Sequence, residues 1–297
     1  MNYGGIITPM ITPFKKDGSI DENATALLID EIDRYGVGTL FPLGSTGVFP
    51  YLSLDERKHF LKFVRDHSKG KTIIAGIGSS IVQESIEIAK FAADIGINAI
   101  VLMPAYYIKP NQEGIISQFT KVLSHTDLDL FIYNIPQLSG QWINIDTIEY
   151  LKTEFSQIRG VKDSSGDIRY FQQLTQLVSS DFTIFQGQDD LLYSSMMLGA
   201  SGGVCGTTNL TDDAVRIYNL IRRGQTALAL RIQLKVIVPM MNYLNSTTFP
   251  TGYYLYFYHK NNISGGYRVP MVEPAETSIR RIIDGMGFLV EESKKYK

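Results

Sequence analysis

Cysteine is all but missing from this chain of 297 residues, where Cys205 stands alone. One thiol excludes an internal disulfide and fits a reducing compartment, and its ordinary role is that of a small apolar residue in a buried strand. Histidine is scarce as well. His59, His67, His125 and His259 make no H-x-x-x-H pair, and with a single cysteine no zinc-ligand spacing is available. That argues against a metal hydrolase and a metal-dependent aldolase, though not against a magnesium site made of carboxylates alone. Neither sign of charge dominates: the net charge is −2, which leaves no electrostatic footprint for nucleic acid. No unbroken run of about 18 apolar residues marks a membrane helix. The opening Met1-Asn2-Tyr3-Gly4-Gly5 lacks a basic segment followed by an apolar one, so no signal peptide is expected. No G-x-G-x-x-G follows the first strand-like run, which removes the signature of a dinucleotide fold.

What is present is an alternation. Short apolar runs at Ile6–Ile11, Thr39–Leu43, Thr72–Ile77, Ala99–Met103, Leu128–Ile135, Ile158–Val161, Phe182–Phe185 and Gly203–Cys205 recur every 20–35 residues or so, the length of a strand with its crossover helix. Amphipathic stretches fall between them. Asp21–Tyr35 carries Ala24, Leu27, Leu28 and Ile32 on one face, and Ser53 with Glu56 makes a capping-box pattern. Further helices are expected over Ser80–Ile95, Gln112–Leu123, Ile145–Lys152, Ile168–Val178, Asp190–Leu198 and Asp212–Arg222. Eight strand–helix units in a chain of this size predict an α/β fold, a TIM (β/α)8 barrel over residues 1–223. From residue 224 to 297 the alternation stops. Gln225–Leu244, kinked at Pro239, then Gly252–His259 and Glu276–Glu291 read as a C-terminal helical extension packed on the barrel, since no linker separates it.

Reactive side chains collect where the strands end. Lys162 sits in Gly160-Val161-Lys162-Asp163-Ser164-Ser165-Gly166, and Tyr133 in Leu130-Phe131-Ile132-Tyr133-Asn134-Ile135-Pro136. Burial disfavours a charged amine, and a neutral amine can form a Schiff base with a ketone while a nearby phenol moves protons. The plainer alternative pairs Lys162 with Asp163 and leaves Tyr133 in the core. Gly44-Ser45-Thr46-Gly47 after the second strand suits a carboxylate, or is an ordinary turn. Pro104-Ala105-Tyr106-Tyr107-Ile108-Lys109-Pro110 offers two aromatics to cover a site or reach a neighbour. Gln186-Gly187-Gln188-Asp189-Asp190 holds two carboxylates that either bind sugar-like hydroxyls or cap the next helix. Gly203-Val204-Cys205-Gly206-Thr207-Thr208-Asn209 lets a ligand approach the backbone. The run Tyr253-Tyr254-Leu255-Tyr256-Phe257-Tyr258 reads equally as subunit contact or internal burial.

The order GSTG, PAYY-x-KP, YNIP, GVKDSSGD, GQDD and GGVCGTTN, with the opening Gly5-Ile6-Ile7-Thr8-Pro9-Met10-Ile11-Thr12-Pro13-Phe14, resembles the dihydrodipicolinate synthase / N-acetylneuraminate lyase family over nearly the whole chain. The resemblance implies a barrel with a helical C-terminal region, a cytoplasmic homotetramer arranged as a dimer of dimers, and pyruvate chemistry without metal or other cofactor. It implies that Lys162 is the Schiff-base lysine and Tyr133 the proton-transfer tyrosine. It places Gly44, Ser45 and Thr46 on the pyruvate carboxylate, with Thr46 also assisting proton transfer. Tyr107 would reach into a neighbour's site, and the Val204 backbone would lie beside pyruvate.

Within that family the synthases carry an arginine where this chain has Leu138, and a glutamate after the GSTG turn where this chain has Val48-Phe49-Pro50. An unpaired substrate carboxylate would be costly in such a pocket. The YNIP-x-LSG and GQDD motifs resemble the sialic acid lyase branch, and the Val-Phe-Pro segment resembles archaeal 2-keto-3-deoxygluconate aldolases. The expected reaction is therefore reversible cleavage of a 2-keto-3-deoxy sugar acid, as in Entner–Doudoroff carbohydrate breakdown, to pyruvate and an aldehyde such as glyceraldehyde. Ser164, Gly187, Asp189 and Asp190 are expected on the aldehyde side, with Lys109 the one cation near enough in the motifs to meet a phosphate. N-acetylneuraminate lyase, the synthase and a non-catalytic sugar-acid binder are the rivals. No nucleic-acid or membrane partner is expected.

Overall fold

Eight short strands, β1 (Gly5–Pro9), β2 (Thr39–Phe41), β3 (Thr72–Gly76), β4 (Ala99–Leu102), β5 (Asp129–Asn134), β6 (Ile158–Asp163), β7 (Thr183–Gln186) and β8 (Gly202–Val204), pair in parallel in chain order. Strand β8 returns to β1, through Gly5–Gly202, Ile6–Gly203 and Ile7–Val204, and closes the barrel. This computed structural model describes residues 3–296; Met1 and Asn2, on which the expectation of no leader partly rests, and Lys297 lie outside the described residues. The strands are apolar because both their faces are covered, by the barrel interior and by the helices outside.

The covering helices are α1 (Glu22–Arg34), α2 (Leu54–His67), α3 (Val82–Asp94), α4 (Gln112–Leu123), the single turn α5 (Pro136–Ser139), α6 (Ile145–Glu154), α7 (Ile168–Thr175), α8 (Leu192–Met197) and α9 (Asp213–Arg222). Their starts are chemically marked. Asp21 accepts from Ala24 N, Asn111 from Gly114 N and Asp167 from Arg169 N and Tyr170 N, while Ser53 and Glu56 form the expected reciprocal capping box. Ends differ from the sequence reading by a few residues. The stretch expected to be helical from Asp190 begins instead as a 3-10 turn, Asp189–Leu191, and β6 runs on to Asp163, which puts Lys162 inside the strand.

Beyond α9 come α10 (Thr226–Ile232), a π-helical turn (Gln233–Ile237), α11 (Val238–Leu244), α12 (Thr251–Lys260) and α13 (Glu276–Lys294). The irregularity expected at Pro239 lies one turn earlier. A widened π turn precedes the proline, which then sits in the first turn of α11, where its ring and missing N–H are tolerated. By length and composition Thr226–Leu244 is the one helical stretch among the described residues apolar enough to cross a membrane. Its apolar character has a local reason: Ile232, Val236, Ile237, Met240 and Leu244 are all buried in the protein core. Helix α12 is buried from Thr251 to Tyr258, so the aromatic run belongs to the inside of this chain.

At the face where the strands begin, Tyr3 donates to Asp129 Oδ2 at 2.8 Å and Arg159 pairs with Asp129 Oδ1 at 2.8 Å. The interior under the opposite mouth is filled by Ile7, Phe41, Ile74, Val101, Phe131 and Phe185. The barrel is therefore a plugged core with one usable end.

Close strand approach depends on Gly160, paired with Thr183 across β6 and β7. A Cβ there would lie 2.0 Å from Thr183 O. Gly160→Ala should therefore push these strands apart and lower the unfolding free energy by about 3 kcal/mol, the upper end of ordinary overpacking. A denaturant midpoint within error of the wild type would contradict this account of β6.

Candidate active site

Strands β5 and β6 bring the two reactive side chains together. Their register pairs Tyr133 with Lys162 and Asn134 with Asp163. Side chains alternate across a strand, so Tyr133 and Lys162 share the inner face and Asn134 and Asp163 the outer one. The Lys162 amine rests 4.0 Å from the centroid of the Tyr133 ring and 4.9 Å from that of Phe41. Lys162 is 6 % exposed and lines the mouth cavity.

The plainer alternative for Lys162 does not hold. Asp163 Oδ1 accepts from Asn134 Nδ2 at 2.7 Å and from Ser165 N at 3.2 Å, and Oδ2 accepts from Ser165 Oγ at 2.8 Å. No ion pair to Lys162 is found among the described residues. Burial pushes the Asp163 carboxyl up to about 6, against the pull of the hydrogen bonds from Asn134 and Ser165.

The cavity has a volume of about 280 Å³ and is lined by Ser45, Thr46, Tyr133, Gln137, Leu138, Lys162, Ser164, Gly187, Gln188, Asp189, Val204 and Asn245 among others. That is near the lower limit for ligand pockets, roughly 300 Å³, and fits a small substrate. Ser45 Oγ lies 3.5 Å from the Tyr133 hydroxyl. The N–H groups of Ser45 and Thr46 have no acceptor within the chain among the described residues. Two free N–H groups beside two hydroxyls make an anion-binding turn.

That turn is held from below. Thr12 Oγ1 donates to Gly47 O at 2.8 Å, and Tyr254 OH donates to Thr46 O at 3.2 Å while accepting from Thr12 N at 3.1 Å. Gly47 permits the approach, since a Cβ there would meet Met10 O at 2.8 Å. Sequence reasoning passed over Tyr254 and Thr12. A tyrosine inside a buried aromatic helix carries no local sign that its hydroxyl serves a loop 208 residues away.

Of the residues expected on the aldehyde side, Ser164 and Gly187 line the cavity. Asp189 lines it too, but its carboxylate is occupied. Oδ1 accepts from Gly206 N at 2.9 Å; Oδ2 accepts from Thr207 N at 2.8 Å and Thr207 Oγ1 at 2.6 Å. Asp189 thus caps the 3-10 turn after β8 rather than its own helix, and the geometry favours that role over sugar binding. Asp190 is exposed and is not among the residues lining the cavity. Gln233, from the π turn, donates to Asp189 O at 3.0 Å and accepts from Tyr193 N at 3.2 Å, another contact the sequence did not signal. Tyr106, not Tyr107, packs inward on Phe49. Tyr107 is 94 % exposed with φ 74° and lies outside this chain's own cavity. Cys205 is buried, which raises its thiol pKa well above the usual value. No group of three or more His, Cys, Asp or Glu side chains is placed to hold a metal ion among the described residues.

This barrel and mouth define the class of proteins in which the chain finds its relatives. The sequence profile of the dihydrodipicolinate synthetase family matches residues 2–282, and the chain belongs to that family. It is 55 % identical over 262 residues to the 2-dehydro-3-deoxy-D-gluconate/2-dehydro-3-deoxy-phosphogluconate aldolase of Picrophilus torridus, covering 88 % of this chain and 97 % of the relative. The solved structure of the 2-keto 3-deoxygluconate aldolase from Picrophilus torridus superposes with a TM-score of 0.90 at 54 % identity, over 92 % of this chain and 98 % of that one. A prophage protein of the dihydrodipicolinic acid synthase family from E. coli K12, solved in complex with pyruvate, superposes with a TM-score of 0.91 at 26 % identity, over 97 % of this chain and 99 % of that one.

Two predictions follow from the site's supports. The folded Asp163 carboxyl holds its proton more tightly than an unfolded one, so the folded chain binds more protons between about pH 4 and pH 6. Its stabilising contribution is complete below about pH 4 and is lost as pH rises through 6. Measured against Asp163→Asn, wild-type unfolding free energy should fall by about 3 kcal/mol across that window; a pH-independent difference would refute this. Separately, Tyr254→Phe leaves the buried Thr12 N–H without an acceptor. It should cost about 1–3 kcal/mol of stability and raise the KM of the keto acid, and an unchanged KM would show that the turn needs no support from α12.

Proposed function

We propose that the chain is a class I aldolase that reversibly cleaves 2-keto-3-deoxygluconate to pyruvate and glyceraldehyde. The observation that carries this reading is the opposition of Lys162 and Tyr133 across β5 and β6 at the mouth of a small cavity. The likeness to the Picrophilus aldolase supports it.

The chemistry runs through the chain's own groups. Lys162 Nζ, bonded to no carboxylate, attacks the C2 carbonyl, and loss of water leaves a protonated imine. Tyr133 takes the proton of the C4 hydroxyl, with Thr46 beside it. The C3–C4 bond breaks, its electrons pass to the iminium to give an enamine, and the aldehyde departs. Protonation of the enamine at C3 and addition of water to the imine release pyruvate and restore the amine. The Gly44–Gly47 turn holds the substrate carboxylate through the Ser45 and Thr46 N–H groups and hydroxyls, which fixes the keto carbon over Lys162. The Val204 backbone closes the opposite wall. No metal or other cofactor enters these steps.

Leu138, half exposed on the cavity wall, stands where the synthases carry their arginine, and this favours a neutral second substrate over an acidic one. A non-catalytic binder would need neither the amine nor the phenol. The same reading includes a barrel over residues 1–223 with a helical region over 224–297, and a cytoplasmic homotetramer, a dimer of dimers, in which Tyr107 and Ile108 contact a neighbour. Their exposure, 94 % and 80 %, supports such a contact.

Borohydride reduction in the presence of pyruvate should leave a covalent adduct on the peptide containing Lys162, detected by mass spectrometry and absent from Lys162→Ala. Reduction of the wild type without an adduct at Lys162 would overturn the mechanism.

A further inference from the structure

Two glutamines to which the sequence reading gave no role stand on the cavity wall. Gln137 comes from α5, after β5, and Gln188 from the loop after β7. Both are tethered by their amide nitrogens to the loop after β6: Gln137 Nε2 donates to Ser165 O, and Gln188 Nε2 donates to Ser164 O at 2.9 Å. A backbone carbonyl can only accept, so these bonds settle which end of each amide is which. The Oε1 atom of each glutamine has no donor within the chain among the described residues; Gln137 is exposed, and the Oε1 of the half-buried Gln188 is not sealed from solvent. Ser164, 2 % exposed, sits between them with its hydroxyl likewise without a partner in the chain and not sealed. The wall therefore offers two oriented acceptors and a hydroxyl.

Resting on the aldolase reading above, we propose that Gln137 and Gln188 select an unphosphorylated polyhydroxy chain and turn away the same sugar acid carrying a terminal phosphate. Carbonyl oxygens accept from the C5 and C6 hydroxyls of a sugar acid. A 6-phosphate keeps the C5 hydroxyl but replaces the C6 donor with a dianion; it brings lone pairs and negative charge against lone pairs, and its lost hydration goes uncompensated. Recognition of phosphate calls for arginine, lysine or free N–H groups. Lys162 is the one cationic side chain lining the cavity among the described residues, and it is engaged with the keto group. Lys109 is exposed and lies along Gly140, past the end of α5, outside the cavity lining. The amides cannot turn to present N–H groups instead without breaking their bonds to Ser164 O and Ser165 O. Asn245, also on the wall, has no such tether and fixes no preference.

The test is the ratio of kcat/KM for 2-keto-3-deoxygluconate over its 6-phosphate. The wild type should favour the unphosphorylated acid by roughly 100-fold or more. Gln137→Met and Gln188→Met keep the side-chain length and remove the acceptor. Each should lower kcat/KM for the unphosphorylated acid by about tenfold, mostly through KM, without lowering it for the phosphate, so the ratio falls. A wild-type ratio near one, an equal fall for both substrates, or loss of pyruvate trapping in either variant would overturn the assignment. Pyruvate trapping by the wild-type preparation separates the two readings. Without trapping the aldolase itself fails; with trapping and no discrimination, only the role of the glutamines fails.

Discussion

The register of β5 against β6 is the constraint on which the site rests. It places Tyr133 opposite Lys162 and Asn134 opposite Asp163. A slip of one residue would send the amine out among the helices and draw a carboxylate into the barrel. The outer pair opposes that slip. Asn134 donates to Asp163, its Oδ1 accepts from Ile143 N at 3.2 Å, and Asp163 is also held by Ser165. A buried carboxyl is unfavourable unless its hydrogen-bonding capacity is met, and only this register meets it. Polar residues on the outside of the strands thus specify the geometry of the reactive pair on the inside.

The helices after the barrel are part of the same device. Tyr254 of α12 supports the turn that carries Ser45 and Thr46, and Tyr258 accepts from Phe14 N at 2.9 Å. Gln233 reaches from the π turn to Asp189, and Asp189 in turn holds the turn after β8. Loops at a barrel mouth are mobile unless something fixes their backbone groups. Here the fourth, seventh and eighth positions around the rim differ in how they are fixed. The loops after β7 and β8 are tied to each other and to the π turn, whereas the loop after β4, bearing Tyr107, reaches outward. The π turn brings a buried glutamine into line with two backbone groups, Asp189 O in the 3-10 turn after β7 and Tyr193 N in α8.

Much of this was legible in the sequence because the barrel repeats itself. Eight apolar runs at strand-plus-helix spacing fixed the topology, and cap residues such as Asp21, Ser53 and Asn111 marked helix starts by local chemistry alone. Lys162 and Tyr133 were found because a reactive group at the end of an apolar strand is conspicuous. The roles that escaped were those set by long-range contact. Asp189 looked as much like a sugar ligand as a cap, and what occupies it is a turn 17 residues on. Tyr254 and Gln233 act across 208 and 44 residues, beyond any periodicity. The irregularity expected at Pro239 takes the form of a π turn, Gln233–Ile237, just before it, because a proline marks where a helix must adapt and the turn that adapts precedes it.

On the proposed aldolase reading the two halves of the cavity are built differently, and this bears on what the chain can vary. The keto-acid half consists of strand residues and backbone: Lys162 and Tyr133 within β6 and β5, the N–H groups of the Gly44–Gly47 turn, and the chain at Val204. Moving the backbone at any of these disturbs the barrel or the turn that closes on it. The aldehyde half is made of side chains on loops, Gln137 and Leu138 on α5 and Gln188 after β7, tied to the frame only through the carbonyls of Ser164 and Ser165. A substitution there leaves every strand pairing in place. Selection for a different aldehyde can therefore act on the second half while the first is held constant by the demands of folding. On the proposed reading the charge of the second substrate is then decided by a few loop positions, of which Leu138 is one and the two tethered glutamines are the others.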